Sequence, residues 1–89
     1  MAGELFVCPT DKTGILYTGS SLLGYLAISW SELYEAFGDP FMEDGQREWR
    51  LRLPSGQLVS IYQWHSDPAP HVGGFNKDAF YELRSLLNV

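Results

Sequence analysis

The chain has 89 residues and a formal net charge of −5, from 11 acidic and 6 basic side chains. That length makes one domain with one modest core, and the shortage of Lys and Arg argues against broad binding to DNA or RNA. The single cysteine, Cys8, excludes an internal disulfide and suits a reducing cytosol, and no stretch approaches the roughly 18 apolar residues of a membrane span.

ELFVC at 4–8 reads as a short strand stopped by Pro9, and ILYT at 15–18 can pair back on it across the DKTG turn. The next apolar stretch fits neither period, so it is a loop or a short strand near Tyr25–Ile28. Ser29-Trp30-Ser31-Glu32 has capping-box spacing, and Trp30, Leu33, Tyr34 and Phe37 form one apolar stripe. Gly38 and Pro40 end the run, which predicts a helix over 30–37. EDGQRE at 43–48 reads as a polar turn region. Trp49, Leu51 and Leu53 then alternate with Arg50 and Arg52, the mark of a half-buried strand. Pro54–Gln57 is a turn, and LVSIYQW at 58–64 is the return strand. HSDPAPHVGG reads as a loop, Asn76 as an N-cap, and Ala79, Phe80, Leu83, Leu86 and Leu87 as the stripe of a helix over 76–87. The expected fold is α+β: a small antiparallel sheet built on a hairpin and packed with two helices in a single domain, 1–89, with an N-terminal hairpin at 1–18.

Gly73-Gly74 before a helix start can aim consecutive amides at one point, a backbone nest for an anion such as phosphate, and Lys77 in the first turn suits an anion there. The plainer alternative is a tight entry turn with Lys77 in water. His65, Asp67 and His71 match no zinc spacing, so no metal is expected, and hydrogen-bonding loop histidines are the simpler reading. No nucleophile elbow or paired-carboxylate spacing appears, so no catalytic set is expected. An aromatic content of 15% exceeds what one small core holds, so some rings should line an interface or ligand site. Trp49, Tyr62 and Trp64 could stack on bases, and Arg50 and Arg52 could serve phosphates or bases, although such residues are more often core, interface or solvated.

GSSLLGY at 19–25, FGDP at 37–40, EWRLRLPSGQLVSIYQW at 48–64 and PHVGG at 70–74 occur in that order. The order resembles a family of small bacteriophage and viral proteins with the pattern G-x-S-x-x-G-Y, F-G-x-P, E-W…I-Y-x-W and H-x-G-G. Pro70 stands where the family has Trp, and Ser55 where its turn has Asp. The resemblance extends to viral anti-CBASS sponges, which implies a homo-oligomer, a tetramer, that sequesters cyclic dinucleotide signals such as cGAMP in the cytoplasm of an infected host. It implies no turnover, no cofactor, and no DNA, RNA or membrane partner. On this reading the amides around Gly73, Gly74 and Asn76 hold phosphates with His71 and Lys77. Tyr25, Tyr62 or Trp64 stack bases, and Arg50 or Arg52 reach in from a neighbouring subunit. The alternative is a viral inhibitor that docks on a host defence protein through an aromatic surface; a small phosphodiesterase is a third class.

Overall fold

The computed structural model describes residues 21–89, so the expected hairpin of 4–8 with 15–18 lies outside the described residues, as does Cys8. The fold is α+β. Its elements are β1 (Ser21–Tyr25), α1 (Trp30–Phe37), β2 (Phe41–Glu43), β3 (Gln46–Arg52), β4 (Leu58–Tyr62), β5 (His71–Gly74) and α2 (Lys77–Leu87). The five strands form one antiparallel sheet in the order β1-β5-β4-β3-β2. Helix α1 thus carries the chain from one edge of the sheet to the other, and a four-strand meander returns until β5 pairs with β1. Among the described residues no helix is long and apolar enough to cross a membrane.

Helix α1 starts where Ser29 Oγ accepts from the Glu32 amide at 3.2 Å, and it stops where Gly38, at φ 78°, donates to the Tyr34 carbonyl. Trp49 in β3 holds this helix to the sheet. It is 1% exposed, stacks on Trp30, meets Tyr34 edge-on, and donates from Nε1 to the Gly38 carbonyl at 3.0 Å. Strand alternation sends Trp49, Ile61 and Val72, which stand opposite one another, to the helical side. Leu33 of α1 and Leu83 of α2 belong to the same buried core. Helix α2 is capped by Asn76, whose side chain accepts from the Asp78 amide, and ends on left-handed Asn88. Its Phe80 lies directly over Gly24 of β1.

Four segments differ from the sequence expectation. The first described strand is Ser21–Tyr25 rather than a piece near 25–28. The polar stretch at 43–48 holds a two-residue hairpin turn, Asp44 and Gly45, both at positive φ, which pairs β2 with the start of β3. The strand expected over 58–64 ends at Tyr62. His71–Gly74 is the strand β5, paired on both sides, and not a loop.

Candidate functional site

The strand faces turned away from the helices carry a different chemistry from the core. Here β3 presents Gln46, Glu48 and Arg50, β4 presents Ser60 and Tyr62, and β5 presents His71 and Gly73. The register lines them up across the sheet. One row runs Arg50, Ser60, Gly73, Leu22, and the next runs Glu48, Tyr62, His71, Tyr25. A groove of about 520 Å³ lies on this face, lined by Gln46, Glu48, Ser60, Tyr62, Trp64 and Gly73, with Leu22, Asp44 and His65 among its walls.

Gly73 is part of the floor, and its missing side chain keeps the groove deep. A Cβ at this position would stand 3.1 Å from Ser60 Oγ and 3.2 Å from Tyr62 Cε1. At one end the rings gather around His71, which is 5% exposed. Tyr25 meets it edge-on at 4.7 Å between centroids, Tyr62 lies at 5.4 Å, and Trp64 lies nearly parallel at 6.4 Å. Trp64 and Tyr25 are each 54% exposed, so both offer ring surface beyond this cluster.

Two polar contacts fix the arrangement. His71 Nε2 is 3.1 Å from Asp67 Oδ2, while Asp67 Oδ1 accepts from the Ala69 amide at 2.9 Å. The Ala69 amide and, next, the His71 ring hold the Asp67 carboxyl below the ordinary value of 3.8. In the row beside it, Arg50 is 2% exposed and contacts both Glu48 oxygens, Nε at 3.2 Å and Nη2 at 3.3 Å. Burial, followed by Tyr25 and Glu48, raises the Tyr62 hydroxyl above its ordinary 10.0.

The residues expected from sequence divide into two groups. Tyr62, Trp64 and Gly73 line the groove, His71 and Tyr25 abut it, and Arg50 is joined to it through Glu48. Gly74, Asn76, Lys77 and Arg52 are not among its lining residues. Gly74 faces the core, where an added Cβ would lie 2.9 Å from Leu23 Cδ1. Lys77 donates to the Leu23 carbonyl at 2.6 Å and sits over the Phe80 ring, and Arg52 is exposed at the far end of β3 opposite Leu58.

The Gly73-Gly74 anion nest therefore does not form. A strand paired on both sides directs its amides in the plane of the sheet at its neighbours, and the left-handed glycines of the described chain are Gly38, Gly45 and Gly56. Gln46, Glu48 and Ser60 are site residues that sequence reasoning missed. Their signal was the polar side of the same period-2 alternation that identified the core residues Trp49 and Ile61. Among the described residues no group of three or more His, Cys, Asp or Glu side chains is placed to hold a metal. Comparisons with family models, curated proteins and solved structures find no match.

Proposed function

We propose that the protein captures a cyclic dinucleotide, with one base seated in the groove against Trp64 and Tyr62, and holds it without turnover. The observation that carries this reading is a half-exposed Trp64 in the same groove as the bare Gly73 floor, with the polar side chains of Gln46, Glu48 and Ser60 in its lining. An aromatic ring stacked on a base contributes about 1–3 kcal/mol, and every base has the π-face it needs. The groove volume of about 520 Å³ suits a small-molecule site, which typically spans roughly 300–1,000 Å³. The same ligand class is implied by the resemblance to viral sponges of cyclic dinucleotide immune signals.

With one base seated in this groove, a second copy of the chain would hold the other half. That arrangement agrees with the homo-oligomer, a tetramer, implied by the resemblance, acting in the cytoplasm of an infected host. Sequestration at this stoichiometry depletes a signal by mass action alone, and no bond need be broken. Bound ligand adds stability as RT ln(1 + [L]/Kd), about 2.7 kcal/mol at a hundredfold excess over Kd.

A thermal melt with and without cyclic GMP–AMP tests the reading. A rise in Tm, followed by recovery of intact ligand after heating, is expected. Cleaved ligand would make the protein a phosphodiesterase. No shift with any cyclic dinucleotide would overturn capture and leave Leu22, Tyr25 and Trp64, each about half exposed, as a docking surface for a host protein.

A further inference from the structure

The capture reading leaves open which base the groove accepts, and the polar lining bears on that choice. We infer that the groove selects guanine over adenine, reading the donor edge of the base with Glu48 and Gln46. This inference rests on the capture reading and extends it to ligand specificity.

Glu48 and Gln46 are two residues apart on β3, so both side chains project from the same side of the sheet, and both line the groove. The Glu48 side chain is 12% exposed and gripped on both oxygens by Arg50. Arg50 Nη2 donates to one carboxylate oxygen and Nε stands 3.2 Å from the other, which orients an anionic acceptor group at the groove wall. Gln46 Oε1 is buried with no hydrogen-bond partner among the described residues. A buried acceptor left in this state favours a ligand that brings a donor.

The cations near this end are engaged with protein groups. Arg50 faces Glu48, while Arg47, which also lines the groove, donates to Gln63 at 3.2 Å and lies 4.6 Å over the Trp30 ring. Asp44 adds a further carboxylate to the wall. A phosphate in this part of the groove would meet negative charge, whereas a base with adjacent N–H groups would meet acceptors. Guanine presents N1–H and N2–H side by side. Adenine presents an acceptor at N1 next to its N6 amine, which would oppose one acceptor with another.

Calorimetric titration of the full chain with cyclic di-GMP, cyclic di-IMP and cyclic di-AMP tests this. A well-made pair of hydrogen bonds discriminates by about tenfold or more. Cyclic di-GMP is therefore expected to bind at least about tenfold tighter than cyclic di-AMP, with cyclic di-IMP, which lacks the 2-amino group, weaker than cyclic di-GMP. Binding of cyclic di-AMP within tenfold of cyclic di-GMP would overturn guanine selection and leave capture standing; no binding of any of the three would overturn guanine selection, and no binding of cyclic GMP–AMP besides would overturn capture. Glu48→Gln should abolish the preference, and a folded variant that keeps it in full would overturn the role of Glu48. Should the variant fail to fold, the three ligands on the unaltered chain still decide the question.

Discussion

A methyl group added at Gly24 would stand 2.5 Å from Phe80 Cζ, closer than real side chains approach. Gly24→Ala should therefore destabilise the fold by about 1–3 kcal/mol, the usual cost of overpacking, as read by urea denaturation. Trimming the obstacle in a Gly24→Ala, Phe80→Leu pair should recover part of the loss, and full additivity of the two changes would contradict the contact. Asp67 makes a separate prediction. Its carboxyl is held below 3.8 in the folded chain by the Ala69 amide and His71, so its contribution is present above the unfolded pKa and is lost as pH falls through the folded one. Asp67→Asn should lower Tm near neutral pH, and the gap to the unaltered chain should close in acid. A gap that is constant with pH would mean the carboxylate contributes nothing to the fold through its charge.

At the scale of elements, α1 depends on a cap and one ring. Ser29→Ala should cost about 0.5–2 kcal/mol, the usual loss of an N-cap. Trp49→Ala should cost about 3–5 kcal/mol, a large share of the roughly 5–15 kcal/mol that holds a small domain, and should leave a barely stable protein by circular dichroism. Both helices were legible in the sequence because a 3.6-residue stripe and its caps are local signals. β2 was not legible, since three residues cannot display a period. Asp44-Gly45 was recognised as a turn without the short strand that it pairs. β5 was missed for a different reason. Its His-Val-Gly-Gly sequence has low strand propensity, and it is a strand because Gly73 and Gly74 let Tyr62, Ser60 and Leu23 pack closely over it, which is a tertiary effect. The same confusion misassigned Gly74 and Lys77 to an anion nest; Tyr25, Tyr62 and Trp64, expected to stack bases, stand instead around the ring of His71, which was expected beside the phosphates. The rows that join Arg50 to Ser60 and Glu48 to Tyr62 depend on register, which the sequence does not state.

For the whole molecule, the two faces of one sheet divide the labour. Both helices and the apolar core lie on one side; rings, a buried Arg50–Glu48 pair and the Gly73 floor lie on the other. This separation allows the groove face to be altered with modest cost to the core. Trp64 makes the cleanest probe because it is 54% exposed and outside the core cluster. Losing a stacking ring worth about 1–3 kcal/mol weakens binding by roughly 5- to 150-fold. The most direct measurement is calorimetric titration of the unaltered chain and Trp64→Ala with cyclic GMP–AMP. Saturable binding by the first, and a loss of that size in a variant with unchanged Tm, is the predicted result; equal affinity of the two proteins, or no binding by either, would contradict capture on this face.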